Sequence, residues 1–173
     1  MKAVFRTVII ILAAFSSFDL YAQHQVTTVI LVRHAEKALD QGSDPELTAE
    51  GQVRAGQLDH MLKNMQIDAV YSTPFQRTKA TVENVAKSHN LDIREYNPAD
   101  LADMVRIIRE SEGKTLLISG HSNSTPALIN MIVEEDKYGA FDESDYDNLY
   151  IVTLLDDDEA HVLALQYGAD SGK

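Results

Sequence analysis

Two arginines and two histidines carry the most chemistry in this chain. Arg33 and His34 are adjacent, Arg77 ends the run Thr73-Pro74-Phe75-Gln76-Arg77, and His121 follows Gly120. A guanidinium is a planar fork of donors that matches phosphate oxygens and keeps its charge. An imidazole can attack as a nucleophile and hold a covalent group. A second imidazole, titrating near neutrality, can donate to those oxygens or move a proton. Together they suit phosphoryl transfer, which needs mainly positioning and stabilisation of charge on the equatorial oxygens.

The elements that would position them alternate along the chain. Val26 to Val32 is a β-branched apolar run of strand length. Thr48, after Pro45-Glu46-Leu47, is a helix cap for a segment with Val53, Leu58, Leu62 and Met65 on one apolar face. Asp68 to Ser72 reads as a strand. Thr73 then caps a helix with Pro74 at its first position, running to about His89. Leu91 to Glu95 is a short strand, and Leu101, Met104, Val105 and Ile108 fall at helical spacing, with Gly113 as C-cap. Thr115 to Ser119 is a buried strand and Thr125 to Val133 a short helix. Glu134 to Asn148 has no periodicity and reads as a long loop. Leu149 to Leu155 and Ala160 to Tyr167 form a hairpin across Asp156-Asp157-Asp158-Glu159.

This alternation predicts an α/β fold: a three-layer α/β/α sandwich with a mainly parallel sheet and a C-terminal antiparallel hairpin. In such sheets ligands bind beyond the carboxyl ends of the strands. Each polar cluster directly follows a predicted strand, so all three should meet at one sheet edge. Gly120 would allow close backbone approach, and the helix near Thr125 would turn N–H groups toward an anion.

Arg33-His34-Ala35-Glu36-Lys37, the run from Ser72 to Thr81, and Gly120-His121-Ser122-Asn123 resemble the three motifs of the histidine phosphatase superfamily. The resemblance is to its phosphoglycerate-mutase-like branch and the small SixA-like members. It runs in order from about Val29 to Tyr167 and includes Leu47-Thr48-Ala49-Glu50-Gly51. It implies a phosphoglycerate mutase-like fold and His34 as the phosphorylated nucleophile. Arg33 and Arg77 would clamp the phosphoryl group, His121 would complete the pocket, and water would hydrolyse the phosphohistidine. No metal and no organic cofactor are implied, and the implied substrate is a small phosphorylated molecule.

Two features depart from the family pattern. Ala35 follows His34, where many members have glycine, and the chain has no Trp and no counterpart of the Gly- and Trp-containing insertion that supplies an acid in larger mutase-type members. Glu36 is the first candidate for proton donor, because it lies in the motif loop beside His34; Glu95, Asp145 and Asp147 are weaker ones. A metal site on His34, Glu36 and His121 would have two cations beside it, which disfavours it. His24, His60, His89 and His161 read as surface or capping residues, and Met61, Met65, Met104 and Met131 as core filling. Ser122 and Ser124 lack the Gly-x-Ser-x-Gly order of a nucleophile elbow.

Length and composition suit one globular domain of 173 residues, and the absence of cysteine excludes thiol nucleophiles and thiolate metal sites. Lys2 and Arg6, the apolar run Val8 to Phe15, and Tyr21-Ala22 follow the pattern of a secretory signal peptide. The expected division is a signal peptide at 1–22 and a histidine phosphatase domain at 23–173, periplasmic or secreted, with no stable membrane association after cleavage. The net charge of −12 becomes more negative once that segment is removed, which disfavours nucleic acid as a partner. The leading expectation is an exported hydrolase of phosphomonoesters. A protein phosphohistidine phosphatase and a non-catalytic phospholigand-binding module are the alternatives. A mutase would need a lid to exclude water, for which the short loops leave little material.

Overall fold

The computed structural model describes residues 26–155 and 159–171; the expected signal at 1–22, His24 and most of the acidic hairpin turn lie outside the described residues. The elements run β1 (Thr27–Arg33), α1 (Ala49–Leu62), β2 (Ala69–Ser72), α2 (Gln76–Ser88), β3 (Ile93–Glu95), α3 (Leu101–Arg109), β4 (Thr115–Gly120), α4 (Ser124–Val133), β5 (Asn148–Leu154) and β6 (Ala160–Gln166). They build one six-stranded sheet in the order β3-β2-β4-β1-β5-β6. The four strands from β3 to β1 are parallel; β5 is antiparallel to β1, and β6 to β5. The expected hairpin is therefore present, closed by the Leu155 N–H donating to the Glu159 carbonyl (2.9 Å).

The pleat divides the apolar residues between two cores. Val29 and Leu31 of β1 point to the side of α3 and α4, packing with Met104, Ile108, Leu128, Ile129 and Ile132. Ile30 and Val32 point to the other side, among Leu58, Leu62, Val82, Val85 and Ala86 of α1 and α2. Four successive apolar positions, Val29 to Val32, are what a sheet covered on both faces requires. The three-layer expectation is met, because neither face could be left to water.

Several local expectations change. Val53 is 62% exposed, whereas Arg54 beside it is buried at 3%. The face of α1 is turned by one residue because the guanidinium, not the valine, has partners inside. Met61 and Met131 are both about 40% exposed, so of the expected core methionines Met104 is the fully buried one and Met65 packs at the margin. Thr48 does cap α1, its hydroxyl accepting from the Gly51 N–H at 3.2 Å. Thr73 does not cap α2. That helix starts at Gln76, whose N–H is taken at 2.9 Å by Asp44 from the preceding loop. Helix α3 ends at Arg109, and Gly113, at φ +69°, makes the turn into β4. His89 bridges the carbonyls of Val85 (2.9 Å) and Met65 (3.0 Å) at the end of α2.

Candidate active site

Strand register brings the three motifs together. Arg33 lies beside Gly120, and Ser72 beside Ser119, so β2, β4 and β1 end side by side at one edge. The His34 N–H donates to the Gly120 carbonyl at 2.9 Å, which fixes the first and third motifs in contact. A Cβ on Gly120 would meet the Thr125 hydroxyl at 2.7 Å and the Tyr96 hydroxyl at 2.9 Å, so the strand end is packed too closely for a larger residue. The first N–H groups of α4 are already used, Ser124 by the Asn123 side chain and Thr125 by the His121 carbonyl. These two N–H groups of α4 are therefore not free for an anion, contrary to expectation.

His34 is 2% exposed. Its Nδ1 lies 2.8 Å from the Ala35 carbonyl. A carbonyl can only accept, so Nδ1 carries the proton and Nε2 the lone pair. Burial is the main reason its pKa falls to about 3; the Ala35 hydrogen bond opposes the fall, and the charges of Arg33 and Arg77 add to it. His34 is thus a neutral imidazole with its free lone pair on Nε2.

Carboxylates are only part of what holds the two guanidiniums. Arg33 is 1% exposed. Its Nη1 donates to the carbonyls of Asp142 (2.7 Å) and Asp145 (2.9 Å), and Nη2 reaches the Glu143 carboxylate at 3.2 Å. The Tyr146 ring lies against it, 4.4 Å from ring centroid to Cζ. Arg77 stacks over Phe75 at 4.6 Å and faces Asp44 at 3.6 Å. Three buried guanidinium nitrogens, Nε of Arg33 and Nε and Nη1 of Arg77, have no hydrogen-bond partner among the described residues. Buried donors of this kind are costly unless something accepts from them. A tetrahedral oxyanion supplies acceptors of the matching geometry and charge.

His121 completes the cluster. Its ring centroid is 5.6 Å from that of His34 and 5.1 Å from Phe75, which meets it edge-on. Its Nε2 hydrogen-bonds the Thr73 hydroxyl at 3.0 Å, and Thr73 in turn contacts the Thr78 hydroxyl at 2.8 Å. The threonine that the sequence pattern assigned to capping thus orients an imidazole. Burial first, then the charges of Arg77, Arg33 and Lys37, lower the His121 pKa to about 4.

Of the predicted site residues, Arg33, His34, Arg77 and His121 converge. Glu36 has another partner: both its oxygens accept from Arg54, at 2.7–3.0 Å. Arg54 also donates to the carbonyls of Tyr167 (2.6 Å) and Ala169 (2.8 Å), tying the first motif loop to the C-terminal segment. Glu95 pairs with Lys79 at 3.0 Å, and the buried Asp147 accepts from Ser171 and Gln166. Arg54, Asp44, Tyr146 and Glu143 were not singled out by sequence reasoning, and Thr73 was read only as a helix cap. Their positions follow from loop geometry that leaves no periodic trace. Among the described residues no group of three or more metal-ligating side chains could hold a metal ion.

Residues 29–98 match the family model of the histidine phosphatase superfamily (branch 1), which includes the first two motifs. Phosphoserine phosphatase 1 of Hydrogenobacter thermophilus is 37% identical over 71 residues, 38% of this chain; the chain spans about a third (34%) of that relative's length. The protein histidine phosphatase SixA, solved with tungstate, superposes with a TM-score of 0.65 at 20% identity over 80% of this chain and 96% of that one. A phosphoserine phosphatase of Entamoeba histolytica, solved with 3-phosphoglyceric acid, gives 0.61 at 14% identity over 83% and 97%. At those identities the two superpositions speak for the fold alone. The match to the histidine phosphatase superfamily thus spans residues 29–98, and the fold is shared with the protein histidine phosphatase SixA.

Two outcomes follow from this geometry. Glu36→Gln should destabilise the fold by about 3 kcal/mol, since it strands a buried guanidinium. It should leave the ratio of aryl to alkyl phosphate turnover unchanged, as read by denaturant midpoints and paired assays; an alkyl-selective loss would restore Glu36 as donor. The pH dependence has a defined sign. Both imidazoles have folded pKa values, about 3 and about 4, below the ordinary 6.5. From pH 6.5 down toward 4 the unfolded chain binds protons there that the folded chain refuses, so stability falls as pH falls. Thermal midpoints should drop over that window, and a His34→Gln variant should show a shallower drop.

Proposed function

We propose that this protein is a metal-independent phosphatase that hydrolyses phosphomonoesters through a phosphohistidine on His34 and acts outside the cytoplasm. The observation that carries the reading is the pairing of a neutral His34, with its Nε2 lone pair free, with three buried guanidinium nitrogens that have no hydrogen-bond partner among the described residues. Nε2 attacks phosphorus as the ester P–O bond breaks. Arg33 and Arg77 stabilise charge on the equatorial oxygens. His121, held at Nε2 by Thr73, has Nδ1 left to meet a phosphoryl oxygen. Water then attacks phosphorus, the P–N bond breaks, and His34 returns to its starting tautomer.

Relatives named as phosphoserine phosphatases support a small phosphorylated metabolite as substrate. A second reading, removal of phosphate from phosphohistidine proteins, is supported by the fold shared with SixA. The secretory pattern in residues 1–22 favours the first, because protein phosphorelays are normally cytoplasmic.

The purified chain from Gln23 onward should hydrolyse p-nitrophenyl phosphate in excess chelator. His34→Ala should lower the rate by at least about 1,000-fold, within the range seen when a nucleophile is removed. Turnover that survives in the variant, or that chelator abolishes, contradicts the reading. Export is tested by expressing the full chain with a C-terminal tag in a Gram-negative host: a shortened, periplasmic product is expected, and a full-length cytoplasmic one rejects it.

A further inference from the structure

We propose that Glu143 is the proton donor and acceptor of this phosphoryl transfer, delivered to the mouth of the pocket by Arg33 itself. The inference rests on the phosphatase reading above and fills the place left by the missing acidic insertion.

The geometry begins with the chain on both sides of Glu143. The two carbonyls that Arg33 Nη1 holds belong to Asp142 and Asp145, which bracket it. The Phe141 N–H donates to the Ser122 carbonyl at 2.9 Å, and the Ser122 hydroxyl donates to Glu143 Oε1 at 2.8 Å. The other oxygen, Oε2, meets Arg33 Nη2 at 3.2 Å and Lys37 Nζ at 3.7 Å. One carboxylate therefore bridges Arg33 and Lys37 of the first motif to Ser122 of the third. It does so while 71% exposed, so the carboxylate is open to solvent beside the cluster.

The other carboxylates have partners of their own, and Asp145, whose pKa burial raises, is turned to Asn148 and Asp147. Both oxygens of Glu36 are on Arg54, and Glu95 is on Lys79. Asp147 is buried against Ser171 and Gln166. Asp44 faces Arg77, but its Oδ1 takes the first N–H of α2 and so fixes the start of that helix. The Asp142 side chain closes its own turn on Ser144.

In the free protein the Ser122 hydrogen bond and the charges of Arg33 and Lys37 hold the Glu143 pKa below the usual carboxylate value. A phosphoryl dianion entering the cradle shares those same cations and sits beside the carboxylate. Like charge at that distance favours the protonated acid, so a proton is taken up as substrate binds. The groups facing Glu143 are Arg33, Lys37, Arg77 and Tyr146, with the Asp142 and Asp145 carboxylates in the same loop. In the first step the ester P–O bond breaks, Nε2–P forms, and the Glu143 proton passes to the departing alkoxide oxygen. In the second step Glu143 takes a proton from water as its oxygen bonds to phosphorus and the P–N bond breaks. The acid is regenerated with no other reactant.

Glu143→Gln, at an exposed position, leaves the fold intact. It should lower turnover of an alkyl phosphate, whose leaving group needs the proton, by about 100-fold or more, and of p-nitrophenyl phosphate by less than about 10-fold. Equal losses on both esters, no loss on either, or an alkyl-selective loss in Asp44→Asn instead would overturn the assignment. Wild-type protein that turns over neither ester would count against the phosphatase reading itself. In that event calorimetry with tungstate, in two buffers of different ionisation heat near neutral pH, still tests the inference. Proton uptake that Glu143→Gln abolishes is expected. Uptake that the variant retains would belong to the histidines and would overturn the assignment.

Discussion

Burying a guanidinium without cancelling its charge is the constraint on which this site depends. Arg33 lies inside the protein, where an unpartnered cation would be costly, and a buried carboxylate would have solved that problem by neutralising it. The fold instead satisfies Nη1 with the carbonyls of Asp142 and Asp145, whose dipoles accept hydrogen bonds but carry no net charge. The carboxylate that does reach it, Glu143 at Nη2, is 71% exposed, so solvent screens the pair. Arg54 is the contrast: equally buried, it is paired through both Glu36 oxygens and does structural work. The same residue type thus sits in two settings: the carboxylate on Arg33, Glu143, is 71% exposed, whereas Glu36 on Arg54 is 21% exposed.

The imidazoles follow from the same arrangement. Burial first, and then the two fixed cations, make a protonated histidine unfavourable, so His34 and His121 remain neutral in the free protein. For a nucleophile this is useful, since protonation would occupy the attacking lone pair. The Ala35 carbonyl, by accepting from Nδ1, directs that lone pair to Nε2. Around this cationic pocket the chain is strongly acidic.

Much of the fold and the four central residues could be read from the sequence, and the reasons are specific. Val29 to Val32 is apolar at every position, which marks a strand covered on both faces. The rule that ligands gather at carboxyl ends of parallel strands then places Arg33, Arg77 and His121 at one edge. What could not be read lies where pattern carries no tertiary information. Residues 134–147 show no periodicity, yet their carbonyls hold Arg33 and their Glu143 reaches both motif loops. Arg54 looks like any solvated helix residue until its partners are known. Thr73 has the sequence context of a cap, but His121 competes for its hydroxyl, and Asp44 from another loop takes over the helix start.

The relatives agree with this division. The family model ends at residue 98, covering the two motifs closest in sequence, while His121 joins them only through the pairing of β1 with β4. The claim on which the rest depends is that phosphate is carried by Nε2 of His34. The direct measurement is mapping of the phosphoenzyme after rapid alkaline quench with a labelled ester, followed by peptide sequencing and phosphorus NMR. Label on the peptide containing His34, alkali-stable and acid-labile, with the Nε2 signature, is the expected result. Label on His121, or steady turnover with no phosphohistidine at any time after mixing, would contradict it.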